Sequence, residues 1–301
     1  MGKSIVQPRS GAGGRSAVYV DGPYPGTEET AAELATSGFD TAILWSLHVH
    51  ENGDLYYNEN LIVSEGEYCG DEGWPTWVAS LKTRPDSKVG RVEVSIGSYG
   101  AADWENIESL VLRRSDDGGT GPDSILYRNF KALQDELRVD ALNSDDESCY
   151  DVDSTVEFAR MAEGIGYRKF TFVPYEEVDY WKEVARELGS LVDRVYLQCY
   201  AGGGDNDPAE WVGELGLAVD PGLWCKHGSD CREGDSPEEV GQALREMGTT
   251  TPIYGGFMWR YSDMRLCSKP GQTVADYAAA INSATGAKDV SKPAATGRPG
   301  R

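Results

Sequence analysis

Eight short runs rich in β-branched and aromatic residues, each bounded by Gly, Asp or Pro, alternate along the chain with stretches of helical periodicity. They occupy 17–20, 41–46, 89–96, 139–143, 169–173, 192–199, 217–224 and 253–259. Near-continuous apolar strands of this kind are buried on both faces, and a helix must carry the chain back before the next parallel strand can begin. The pattern therefore predicts an α/β fold, a single (β/α)8 barrel. A length of 301 residues suits one barrel with insertions as well as two ordinary domains. The count of eight units decides for the barrel.

The helices carry readable signals. Asp123 and Ser124 open a segment with Leu126, Phe130 and Leu133 at helical spacing. Val156, Ala159, Met161 and Ala162 mark another. Ser236 before Pro237, followed by Glu238 and Glu239 and then by Val240, Leu244 and Met247, is the best-marked helix start of all. The segment 48–88 exceeds a simple connection, and its Asn52-Gly53-Asp54 predicts a hairpin turn joining 48–51 to 55–58. It is read as an insertion after the second strand, at the rim that carries the site. The barrel is assigned to 15–287, with a flexible N-terminus over 1–14 and a disordered Pro/Gly-rich tail over 288–301.

Charge narrows the partners. Twenty-eight Lys and Arg against fifty Asp and Glu leave a net charge of −22, a field that repels phosphate backbones and anionic lipid. Nucleic acid and membrane are excluded as partners, and no apolar run approaches the roughly 18 residues of a spanning helix. No apolar core of a secretory signal follows Lys3, so the chain as it stands is expected in the cytoplasm, or secreted if its N-terminus is a processed one. The six cysteines lack paired C-x-x-C spacing. Cys225 and Cys231 flank a short loop that fits a disulfide or two ordinary thiols equally well. The oligomeric state is not legible.

In a barrel of this type the functional groups stand at the C-terminal ends of the strands. The fourth run continues as Val139-Asp-Ala-Leu-Asn-Ser-Asp-Asp-Glu-Ser148, and a period of two puts Asn143, Asp145 and Glu147 on one face. Carboxylates this close cannot all ionise cheaply, so one is held protonated near neutrality and can act as a proton donor. Glu147, outermost, is the candidate acid.

Asp140-Ala-Leu-Asn143-Ser-Asp145-Asp-Glu147 resembles the D-x-x-D-x-D-x-E signature of glycoside hydrolase family 18, the chitinases and endo-β-N-acetylglucosaminidases. Three further segments resemble that family in order along the chain. Val94-Ser95-Ile96-Gly97-Ser98 is similar to its S-x-G-G element, Gln198-Cys199-Tyr200 to its Q-x-Y element, and Gly255-Gly256-Phe257-Met258-Trp259 to its last strand. Tyr19 matches its aromatic at the end of the first strand. The resemblance implies retaining, substrate-assisted hydrolysis of β-1,4 N-acetylglucosaminyl linkages in chitin-type oligomers or N-glycan cores, with no cofactor and no metal. Glu147 would be the acid/base, Asp145 would orient the N-acetyl group whose carbonyl is the nucleophile, and Tyr200 would hydrogen-bond that carbonyl. Trp259 would floor the pocket, and Gln198, Tyr19, Ser95, Gly97 and Trp45 would bind substrate.

The chain departs from the pattern at several places. Asn143, the fourth residue of the expected catalytic set, stands where the middle acid is usual; it can still hydrogen-bond but cannot take up a proton. Ser144 and Asp146 replace residues that are usually apolar, and Asp146 needs either a partner or an exposed strand end. Ser98 replaces a glycine, and Ala201 follows Tyr200 where a polar residue is common. Other readings of the same residues stand beside these. The acidic run is also what a solvated loop looks like, or, with Asp151 and Asp153, an oxygen-ligand site for Mg²⁺ or Ca²⁺. His48 and His50 form an H-x-H pair that suits either a metal or a rim hairpin, and His227 suits a loop. Trp45, Trp74, Trp77 and Trp224 suit either sugar stacking or core. The alternative functions are a barrel that binds carbohydrate without cleaving it, or a scaffold with altered chemistry.

Overall fold

The computed structural model describes residues 15–285, so the two terminal segments expected to be flexible, 1–14 and 288–301, lie outside the described residues. Each of the eight runs forms a strand. In chain order the strands are β1 (Arg15–Asp21), β2 (Thr41–Val49), β3 (Leu55–Tyr57), β4 (Asn60–Ser64), β5 (Glu67–Tyr68), β6 (Arg91–Ile96), β7 (Ala141–Ser144), β8 (Lys169–Phe172), β9 (Val192–Gln198), β10 (Asp220–Trp224) and β11 (Gly255–Trp259). The sheet runs β1-β11-β10-β9-β8-β7-β6-β2, and β1 pairs with β2 to close it. All eight of these pairings are parallel. The fold is a (β/α)8 barrel with extra strands outside it.

The helices are α1 (Glu28–Thr36), α2 (Trp74–Thr83), α3 (Asp103–Leu112), α4 (Ile125–Leu137), α5 (Val152–Ile165), α6 (Val178–Leu188), α7 (Pro208–Leu215), α8 (Pro237–Met247), α9 (Tyr261–Leu266) and α10 (Val274–Thr285). Their starts follow their sequences. Ser236 caps α8 in a reciprocal box with Glu239, and Pro237 occupies the first turn, where its missing N–H costs nothing. Ser124 caps α4, and Asp151 caps α5 by accepting from Ser154 N at 2.8 Å.

Period-two alternation sorts the strand residues into two layers. Val18, Val20, Ala42, Leu44, Val92, Val94, Leu142 and Phe170 point outward into the large core shared with the helices. Ala17, Tyr19, Ile43, Val173, Tyr196 and Phe257 form a separate, smaller cluster inside the barrel. That inner cluster is small because β6, β7 and β8 present Glu93, Ser95, Asn143 and Thr171 on their alternate positions, all fully buried.

The hairpin differs from expectation in its first arm. It is no separate strand: β2 runs on out of the barrel, and Leu47, His48 and Val49 pair antiparallel with Tyr57, Tyr56 and Leu55 of β3. Gly53 supplies the positive φ of the turn, at +87°. The ribbon β3–β5 is tied to α4 by Asn129, whose side chain accepts from Gly66 N and donates to the Gly53 carbonyl, both at 2.6 Å. Beneath it Trp74 is fully buried, and the Trp77 indole donates to Thr27 O at 3.1 Å. Both tryptophans are core of the insertion, which removes them as sugar platforms.

Candidate active site

At the C-terminal mouth of the barrel the strand ends enclose a cavity of about 420 Å³, lined by Tyr19, Trp45, Ser98, Tyr99, Asp145, Glu147, Val173, Tyr175, Gln198, Tyr200, Ala201, Gly202, Trp224 and Trp259. The floor is aromatic. Trp259, at the end of β11, has Tyr200 nearly parallel to it at 6.1 Å and Trp45 edge-on at 4.8 Å, with Tyr19 tilted against it at 5.2 Å. Such a surface suits the apolar face of a sugar ring. Trp224 adds a wall, edge-on to Tyr200 at 6.0 Å.

Over this floor stand two carboxyl groups from the turn that leaves β7. Trp45 Nε1 donates to Asp145 Oδ2 at 3.2 Å, and Gln198 Nε2 donates to Glu147 Oε1 at 3.3 Å. Asp145 is 4% exposed, and its Oδ1 accepts from no donor among the described residues. Burial, and then the charge of Glu147, hold the Asp145 carboxyl well above the usual carboxylate range. Burial raises Glu147 as well, against the N–H of Gln198 and a hydrogen bond from Asp145, while the charge of Glu176 adds to the rise. Two such neighbours titrate as a pair, and Asp145 is the deeper of the two. Tyr200 is likewise pushed up, by burial and then by the Asp145 and Glu147 charges, so its phenol stays a neutral donor.

One layer down, Asn143 holds the strand rather than the ligand. Tyr19 Oη and Ser95 Oγ both donate to its Oδ1, at 2.9 and 2.8 Å. Two of the expected substrate contacts are therefore corrected. Ser95 is fully buried beneath the floor and spends its hydroxyl on Asn143. Gly97, at φ +100°, packs so closely that a Cβ there would overlap the Asp145 carbonyl oxygen. It shapes the approach of β7 to β6 and does not line the cavity. The structure does bring Asp145, Glu147, Tyr200, Trp259, Gln198, Tyr19 and Trp45 together around the cavity, with Asn143 under them.

Other expectations resolve differently. Asp146 is not at an exposed strand end: it is 2% exposed and accepts from the backbone N–H groups of Ser148, Cys149 and Tyr150 and from the Tyr180 hydroxyl. It knots the turn that aims Glu147. Asp151 is spent as a helix cap, and no group of three or more His, Cys, Asp or Glu is placed to hold a metal ion among the described residues. His48 is committed through both ring nitrogens, to Asp103 and Ser46 at 2.9 Å each, whereas His50 stacks on Tyr56. His227 stacks on Trp224 at 3.9 Å. The disulfide joins Cys231 to Cys267, and Cys225 is a buried thiol. No helix of the described residues is long and apolar enough to cross a membrane.

Sequence reading missed Tyr99, Tyr175 and Gly202 on the cavity wall, which lie in loops without periodicity. It also missed Glu93 and Thr171 beneath the floor. A signal for those two existed, since each is a polar residue at the inward phase of an apolar strand.

Solved structures share this architecture. The fold matches a fungal endo-β-N-acetylglucosaminidase of glycoside hydrolase family 18 with a TM-score of 0.66 at 14% identity, covering 89% of this chain and 98% of that one. The chain has the fold of the family 18 barrels. A chitinase from Aspergillus fumigatus matches with a TM-score of 0.63 at 17% identity, over 82% of this chain and 91% of that one. The catalytic domain of a family 18 chitinase from the fern Peteris ryukyuensis matches with a TM-score of 0.59 at 15% identity, over 88% and 97%. No family model and no curated protein matches the sequence. In this chain the mouth of the shared barrel holds the Asp145–Glu147 pair.

Proposed function

We propose that the protein is a retaining glycoside hydrolase that cleaves β-1,4 linkages of N-acetylglucosamine-containing oligosaccharides by substrate assistance. The observation that carries this reading is the placing of two carboxyl groups, Asp145 held by Trp45 and Glu147 held by Gln198, on one cavity over an aromatic floor. A sugar stacked on Trp259 would put its glycosidic oxygen at Glu147 and its N-acetyl group at Asp145 and Tyr200. The proton of the pair then passes to Glu147 and on to the leaving oxygen while the N-acetyl carbonyl oxygen attacks the anomeric carbon. Asp145 is left anionic beside the positive charge that develops on the acetamido nitrogen, which is the electrostatic complement the step needs. Tyr200, kept neutral, donates to the acetamido oxygen and aims it. Water then opens the cyclic intermediate, with Glu147 as base, and the anomeric configuration is retained.

The endo-β-N-acetylglucosaminidase and chitinase structures that share the fold support N-acetylglucosamine polymers or N-glycan cores as the substrate class. The Cys231–Cys267 disulfide supports an oxidising compartment as the place of action, the secreted alternative of the sequence reading.

The test is mass-spectrometric product analysis with N-acetylglucosamine oligomers and an N-glycan, wild type beside Glu147→Gln. The expected result is cleavage by the wild type with a loss of roughly 10²–10⁴-fold in the variant, the usual worth of a general acid. Binding of the oligomers without cleavage by either protein would replace the hydrolase with a binding barrel.

A further inference from the structure

Beneath the floor a line of hydrogen bonds crosses the barrel from β7 through β8 to β6. Asn143 Nδ2 donates to Thr171 Oγ1 at 3.0 Å, and Thr171 Oγ1 donates to Glu93 Oε2 at 2.5 Å. The other oxygen of Glu93 accepts from the Tyr196 hydroxyl at 2.8 Å and forms an ion pair with Arg91 Nε at 2.6 Å. Glu93, Thr171 and Asn143 are all fully buried, so no water mends a mismatch along this line.

The line has a direction, and Glu93 sets it. A carboxylate paired with Arg91 only accepts, so the single hydroxyl proton of Thr171 is committed to it. Whatever faces Thr171 from position 143 must then donate, which an amide does and a carboxylate does not. With its nitrogen turned to Thr171, the Asn143 oxygen is left to receive Tyr19 and Ser95, and this fixes the layer on which the cavity floor rests. We propose that Glu93 is a positioning residue for the site, and that it is the reason an amide stands at 143 where the family signature has an acid. This rests on the hydrolase reading of the site only for its kinetic consequence; the coupling between the two positions is a property of the fold.

The proposal predicts that the line can be reversed as a unit. In Glu93→Gln the amide oxygen stays with Arg91 and Tyr196, because an amide nitrogen there would face the Arg91 guanidinium, which cannot accept, so the new N–H points at Thr171. In that background an acid at 143 meets the freed hydroxyl proton, and every donor again has an acceptor. Asn143→Asp alone leaves two carboxylates facing one hydroxyl in a dry interior.

The experiment is a cycle of wild type, Asn143→Asp, Glu93→Gln and the double variant, read by thermal melting and by kcat and KM on N-acetylglucosamine oligomers. Asn143→Asp is expected to lower Tm and to lower kcat by roughly tenfold or more, the worth of a buried hydrogen bond to a charged group. Adding Glu93→Gln is expected to raise both from there, with KM little changed throughout. If Asn143→Asp does not fold, a folded double variant counts as rescue and an unfolded one overturns the proposal. Tm shifts that simply add, or a double variant worse than that sum, also overturn it. A wild type that cleaves none of the oligomers would defeat the hydrolase reading, and the melts alone would then decide this one.

Discussion

Gln198 Nε2 stands 3.3 Å from Glu147 Oε1 and also donates to the Val173 carbonyl at 3.0 Å, so the amide is pinned from behind while it faces the acid. An N–H aimed at a carboxylate favours its ionised form and lowers its pKa, opposing the burial that raises it. Removing the donor in Gln198→Leu leaves burial less opposed, so Glu147 holds its proton to higher pH. The basic limb of kcat/KM against pH is expected to move upward. Glu176 acts in the other sense, since its charge raises Glu147, and Glu176→Gln is expected to move the same limb downward. Limbs that shift together, or not at all, would remove Glu147 as the titrating acid.

Asp145 makes the site a cost to the fold. Its folded-state pKa lies above the unfolded value, so the folded protein binds this proton more tightly than the unfolded chain does. The sign follows: the stabilising contribution is present below the ordinary carboxylate pKa and is lost as pH rises through the raised one. Asp145→Asn keeps an acceptor for the Trp45 indole and an N–H for Glu147 but carries no charge. Thermal melts across pH are expected to show the variant gaining on the wild type as pH rises through that range, with cleavage reduced by roughly 10²-fold or more. A gap in Tm that does not depend on pH would contradict the raised Asp145.

Gly97 couples backbone geometry to the same carboxyl. At φ +100° a side chain is strained, and a Cβ would run into the Asp145 carbonyl oxygen. Gly97→Ala is expected to cost at least about 1–2 kcal/mol from the backbone alone, measured as a lower urea midpoint. Displacing Asp145 should also reduce turnover at temperatures where the variant is still folded. Unchanged stability would mean that β6 and β7 separate freely at this point.

The barrel was legible because parallel strands covered on both faces write themselves as apolar runs, and the turn chemistry around Ser236 and Asn52-Gly53 is local. What escaped depends on where distant segments meet. The polar look of His48 hid that β2 continues past Leu47, since that histidine is satisfied by Asp103 from α3. Asp146 stayed open between a buried partner and an exposed end because its partners come from a turn that folds back over it and from Tyr180 of α6. Trp74 and Trp77 stayed open between sugar stacking and core because nothing in the sequence shows that the insertion builds a core of its own. Within the site, the strand-borne groups were visible by phase, but the cavity wall from Tyr99 and Tyr175 sits in irregular loops.

The cysteines illustrate the same limit and yield a last prediction. The short loop between Cys225 and Cys231 fits a disulfide or two thiols equally well, yet Cys225 is a buried thiol just past β10 while Cys231 pairs with Cys267 at the end of α9, at a Cα–Cα distance of 5.5 Å. The bond closes 36 residues of chain, and the entropy it removes from the unfolded state corresponds to about 4 kcal/mol. Reduction is therefore expected to lower Tm markedly. Because it also ties the loop after Trp224 to the helix after Trp259, reduction should loosen two walls of the cavity and raise KM more than it lowers kcat. Counting thiols does not separate this pairing from Cys225–Cys231, since either leaves four free. Non-reducing peptide mapping does, and a cross-linked peptide holding Cys225 would overturn both the pairing and the coupling to the cavity.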